Sequence, residues 1–64
     1  MNDFDAVMIA EDNSLASSPD EILAAWQHLI TTGLAFRLQG WFGRAATVLI
    51  EEGLCFPPSG GANG

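Results

Sequence analysis

The chain has 64 residues, 48% of them hydrophobic and 16% charged, with a formal net charge of −6. That length allows one small domain, which on folding buries only about 60% of the surface its unfolded form exposes. The apolar content excludes a wholly disordered acidic tail, and one cysteine with one histidine excludes an internal disulfide or a structural zinc site within one chain.

Residues 1–18 read as an acidic N-terminal segment with weak patterning. Its start, Met1-Asn2-Asp3-Phe4-Asp5, is acidic where a secretory signal carries basic residues, and the lone Cys55 fits a reducing, cytoplasmic setting. Val7-Met8-Ile9 is a short apolar run compatible with a strand or with one helical turn. The negative charge is concentrated here. Residues 1–21 hold Asp3, Asp5, Glu11, Asp12, Asp20 and Glu21 without a cation, whereas Arg37, Arg44, Glu51 and Glu52 cancel in the remainder. Such a segment either docks on a basic surface or keeps an apolar mini-protein in solution. An acidic chain is repelled by phosphate, which disfavours general nucleic-acid and anionic-membrane binding. No apolar stretch approaches the ~20 residues of a transmembrane helix.

Ser18-Pro19-Asp20-Glu21 is a strong helix start: a capping serine, proline at the first helical position, and a glutamate able to reach back to the cap. Ile22, Leu23, Trp26, Leu29 and Ile30 follow at the spacing of one helical face. Gly33 supplies a left-handed stop, beyond which Leu34 can fold back on Leu29. A helix over 19–32 is expected. A second helix is expected over about 35–52, ended by Gly53, with Leu54 folding back on Leu49. Leu38, Trp41, Phe42, Ala45, Ala46 and Leu49 form its apolar face, while Gly40 and Gly43 weaken it and point to a break near Gly40. The predicted fold is all-α: a small helical hairpin domain over 19–56, preceded by the acidic segment 1–18 and followed by a flexible Gly-rich tail over 57–64. Two helices without disulfide or metal need a third element or a partner, and homo-oligomerisation into a four-helix bundle would supply one.

Leu29-Ile30-Thr31-Thr32-Gly33-Leu34-Ala35-Phe36 and Leu49-Ile50-Glu51-Glu52-Gly53-Leu54-Cys55-Phe56 agree at five of eight positions. Repeat architectures need three or more stacked units. The echo is therefore read as one glycine helix ending used twice.

On a continuous helix Arg37, Gly40, Trp41 and Arg44 share one stripe. Arginine and tryptophan are enriched at binding hot spots, and glycine lets another backbone approach. These four are the candidate partner-binding residues. The competing reading buries Trp41 against Trp26 and leaves the arginines on the rim, bonded to Glu51 or the acidic segment. Gly40-x-x-Gly43 is weakly similar to a nucleotide-clamping glycine loop, but the loop lacks lysine. His28 lies on the polar face of the first helix with no carboxylate three or four residues away. Cys55, between Leu54 and Phe56, reads as a buried, inert thiol. No nucleophile, base and acid are spaced as a triad, and no calcium-loop spacing occurs. No catalytic residue, metal ligand or cofactor site is assigned, and the chain is expected to be non-enzymatic.

Ala25-Trp26-Gln27, Leu29-Ile30, Thr32-Gly33-Leu34 and Leu38-Gln39-Gly40-Trp41-Phe42-Gly43-Arg44 resemble a group of short tailed-bacteriophage proteins sharing a pattern A-W-Q-x-L-I-x-T-G…L-Q-G-x-F-G-R. The resemblance covers about residues 25–55 and carries no assigned activity. It implies a phage or prophage origin and an accessory role in the cytoplasm of an infected bacterial host. The expected function is therefore a non-enzymatic phage-encoded protein that binds and modulates a host or phage protein. The alternatives are a small nucleic-acid-binding regulator using the Arg37/Trp41/Arg44 stripe, and a structural phage component.

Overall fold

The computed structural model describes residues 1–58 and is all-helical over them. Three α-helices, α1 (Asp3–Glu11), α2 (Pro19–Thr32) and α3 (Gly40–Glu51), are joined through 3₁₀ turns at Asn13–Leu15 and Leu34–Phe36. Of the predicted flexible tail over 57–64, residues 59–64 lie outside the described residues.

α2 has the bounds its sequence signals dictate. The Ser18 hydroxyl accepts from the Glu21 N–H at 3.3 Å. The Glu21 carboxylate accepts from the Ser17 N–H at 2.7 Å, one residue upstream of the cap. At the other end Gly33 adopts φ 84°, and its N–H donates to the Ile30 carbonyl. A left-handed residue there costs glycine nothing, whereas any other residue would be strained by its Cβ.

The acidic segment is not a lead-in but a helix. Asn2 caps α1, its side-chain oxygen accepting from the Asp5 N–H at 2.7 Å. Asp3 and Asp5 occupy the first turn, at the positive end of the helix dipole. Ala6, Ile9 and Ala10 are buried, while Phe4 and Met8 point outward. Apolar residues on both faces remove the amphipathic signal, so Val7-Met8-Ile9 is resolved as helix only by packing on α2. A polar contact also ties the two helices, with His28 Nε2 lying 2.6 Å from Asp3 Oδ1.

The expected second helix is divided. After Gly33 the chain tightens into the 3₁₀ turn, Arg37 closes that turn, and Gln39 is extended (φ −59°, ψ 153°) before α3 begins at Gly40. The break predicted near Gly40 thus falls immediately before it. Its physical cause is twofold: glycine contributes little helix propensity, and the turn buries Ala35 completely, which a helix running straight from residue 35 would not require. α3 meets α2 through aromatic rings. Trp26 and Phe42 lie 5.8 Å apart between centroids, Trp26 and Trp41 6.2 Å edge-on, and Trp41 stacks on Phe42 at 4.0 Å. Leu29, Ile30, Ala25 and Ala46 complete the centre of the core.

The two halves of the sequence echo share a structure. Gly33 and Gly53 are the positive-φ residues of the described chain, at 84° and 79°. Two positions beyond each, Ala35 and Cys55 are buried, and the following Phe36 and Phe56 are exposed. One helix ending, used twice, accounts for the resemblance. The fold-back differs between the two: Leu34 packs against the core, whereas Leu54 remains half-exposed and only its N–H returns, donating to the Leu49 carbonyl at 2.9 Å.

Candidate functional site

The break before Gly40 decides the geometry of the predicted partner-binding residues. Gly40, Trp41 and Arg44 belong to the first turns of α3, whereas Arg37 closes the preceding 3₁₀ turn. The four therefore do not form one helical stripe. Gly40 and Arg44 line an open groove of about 590 Å³ together with Phe36, Leu38, Gly43 and Val48; Trp41 and Arg37 lie outside that lining. A Cβ placed on Gly40 would lie 3.3 Å from Arg44 Nη1, so the arginine head folds back over the glycine and glycine gives it room.

Trp41 is packed without being buried. Its ring covers Phe42 and meets Trp26, yet it stays 37% exposed. Its indole N–H donates to Gln39 Oε1 at 3.2 Å, which holds the ring beside the chain break. The arginines do not bond Glu51 or the acidic segment. Among the described residues the one ionisable pair is His28 with Asp3, leaving Arg37 and Arg44 without a carboxylate partner. Packing does not require glycine at position 43, since a Cβ there would meet the Ala35 carbonyl oxygen at 3.6 Å and Phe36 at 3.7 Å, ordinary contact distances.

Two polar residues carry contacts that sequence spacing did not reveal. His28 finds its carboxylate 25 residues away in α1. Gln27 clasps the chain after α3: its Nε2 donates to the Phe56 carbonyl at 3.0 Å and its Oε1 accepts from the Phe56 N–H at 2.8 Å. One side-chain amide thereby satisfies both backbone groups of a residue, as a strand neighbour would. This clasp seats Cys55, which is 2% exposed, and burial pushes its thiol above the ordinary value. A neutral, enclosed thiol is a poor nucleophile. Elsewhere, Ser14 donates from its hydroxyl (2.6 Å) and its N–H (3.1 Å) to Asp12 Oδ1. These bonds hold the Asp12 carboxyl below the usual aspartate range.

Among the described residues no group of three or more His, Cys, Asp or Glu side chains could hold a metal ion, and no helix is long and apolar enough to cross a membrane. Large apolar side chains are nonetheless left in water. Phe36, Leu38, Val48 and Trp41 are exposed around α3, and Phe4, Met8 and Leu15 around α1. The second group lines another open groove, of about 840 Å³, beside Asp5, Asp20 and Glu21. The acidic N-terminal residues, read from sequence as a weakly patterned segment of open conformation, are thus a formed surface.

No curated protein and no solved structure matches the chain. A family match spans residues 2–62 and takes in α1 as well as the region of the Leu38–Arg44 motif. By that coverage, the chain belongs to the family described as a domain of unknown function, DUF7417.

Proposed function

We propose that this chain is a non-enzymatic, phage-encoded accessory protein of the host cytoplasm that binds and modulates a host or phage protein through the groove at the start of α3. One observation carries the reading: Phe36, Leu38 and Val48 stand exposed around Gly40 and Arg44, and Arg44 has no acidic partner among the described residues. Apolar side chains gathered around a desolvatable arginine are the composition of a binding hot spot. The phage origin is supported by the resemblance of the Leu38-Gln39-Gly40-Trp41-Phe42-Gly43-Arg44 stretch. Self-association through the same α3 surface belongs to this reading, because three short helices leave that surface uncovered; sedimentation of a monomer at micromolar concentration would remove that part.

The test is affinity capture from nuclease-treated lysate of the host, comparing wild type with Arg44→Ala and Arg37→Ala. A stoichiometric protein lost with Arg44→Ala supports the reading. The expected loss is about thirtyfold in affinity, or ~2 kcal/mol, with helix content and melting unchanged, since an exposed arginine contributes only about 0–1 kcal/mol to folding. Arg37→Ala, outside the groove, should weaken capture less. Recovery that disappears with nuclease would favour the nucleic-acid regulator instead, and equal capture by both variants would remove the site assignment.

A further inference from the structure

A second surface, at the other end of α2, has chemistry of its own. Asp20 and Glu21 open α2, whereas Phe36 follows its C-terminus; the helix has 14 residues and is ~21 Å long. The floor of this groove is Phe4, Met8 and Leu15, which are 70%, 39% and 50% exposed. Its rim is Asp5, Asp20 and Glu21. The Asp5 and Asp20 carboxylates make no hydrogen bond or ion pair among the described residues. Met1 also lines the groove, and residues 1–21 hold no lysine or arginine.

We propose that this groove is a docking site for a cationic amphipathic helix of another protein, one with apolar anchors at helical spacing and lysine or arginine flanking them. Each half of that description answers a feature of the groove. An apolar floor takes helix anchors three and four residues apart, and methionine adapts to anchors of different shape. An acidic rim without lysine or arginine attracts a basic flank and repels an acidic one. The charge also argues against a second copy of this chain. A copy seated in this groove would bring only Arg37 and Arg44 as basic side chains, against eight acids, which is a poor match for an acidic rim. Nucleic acid and anionic lipid are repelled by the same field. This surface shares no residue with the groove at α3, and it stands or falls independently of the function proposed there.

The test uses a fluorescent peptide of about 14 residues, ~21 Å as a helix, made of leucine and lysine with leucines at three-and-four spacing. Three controls accompany it: the same composition scrambled, a glutamine-for-lysine version, and a glutamate-for-lysine version. The patterned lysine peptide should bind, and binding should weaken as salt shortens the screening length from ~10 Å at 0.1 M to ~3 Å at 1 M. Phe4→Gln and Met8→Gln should each weaken it about tenfold with unchanged circular dichroism. A double Asp5→Asn, Asp20→Asn variant should weaken it and flatten the salt dependence. Leu54→Gln, an exposed apolar position away from this groove, should bind as wild type. Equal binding of the scrambled or glutamine peptide overturns the proposal, as does full binding by the Phe4 and Met8 variants. Self-association abolished by those same two variants would seat a second copy in the groove and also overturn it. Capture through Arg44 is read with a different ligand, so either surface can fail alone.

Discussion

The two helices that flank α2 are held by different physics. α1 buries two alanines and one isoleucine and is pinned at its start by the Asp3–His28 contact. α3 buries Phe42 stacked under Trp41 and tilted against Trp26, and the chain beyond it is clasped by Gln27. Small residues let backbones approach but bury little area each, whereas an aromatic ring carries much of the core in one side chain. The aromatic side should therefore hold the fold together, and the alanine side should be able to loosen without global unfolding. That asymmetry matters for function, because each side also carries one of the exposed grooves.

The sharpest way to break the comparison is to remove one anchor from each side. Phe42→Ala should cost about 3–5 kcal/mol, a large share of the roughly 3–10 kcal/mol available to a chain this size, and urea melts should show an unfolded or barely folded protein. Ile9→Ala should cost about 2 kcal/mol, and hydrogen exchange should show the loss concentrated in α1. Equal and global effects would mean that the two sides form one cooperative unit.

The clasp comes next. Gln27→Ala removes both side-chain bonds to Phe56 and should cost about 1–2 kcal/mol. A more specific readout is Cys55, whose reaction with a thiol reagent should speed up several-fold as the segment lifts. Unchanged protection would assign the seating of Cys55 to packing alone. The raised thiol gives the sign of an accompanying pH effect. Because folding favours the protonated thiol, this contribution is present below the ordinary thiol range and is lost as pH rises through it, so the wild type should lose stability in alkali relative to Cys55→Ala.

A smaller change has the opposite sign. Gly43 lies inside α3, and an added Cβ would meet its neighbours at ordinary contact distances. Gly43→Ala should therefore gain about 0.5–1 kcal/mol from helix propensity, read as a higher melting temperature. A loss would show that the 3₁₀ turn cannot yield at Ala35.

The smallest effect belongs to the acidic side. The Asp12 carboxyl is held low first by the Ser14 hydroxyl and then by the Ser14 N–H. Its bonds stabilise the fold above the ordinary aspartate value of 3.8 and are lost as pH falls through the depressed one. The stability difference between wild type and Asp12→Ala should therefore be present at neutral pH and shrink below about pH 4.

Much of the fold was legible because some signals are local. Ser18, Pro19, Glu21 and Gly33 act within a turn of where they sit, so α2 could be bounded from sequence. Gly53 likewise marked the end of α3, and the exposed phenylalanines of the echo follow the same helix ending, whereas its leucines part, Leu34 on the core and Leu54 half-exposed. The all-α class and the burial of Cys55 were readable from apolar spacing.

Other features depended on what packs against them. α1 places apolar residues on two faces, and only contact with α2 selects Ala6, Ile9 and Ala10 as the inner one. The start of α3 depended on Ala35 entering the core, which separated Arg37 from Gly40 and Arg44 and dissolved the predicted stripe. His28 and Gln27 read as plain polar-face residues because their partners, Asp3 and Phe56, lie 25 and 29 positions away. Helix caps and glycine stops are fixed by bonds between near neighbours, and those the chain determined by itself. Which face is buried, which polar side chain finds a distant partner, and which apolar residues remain exposed as grooves depend on surfaces meeting, and only the tertiary structure decided them.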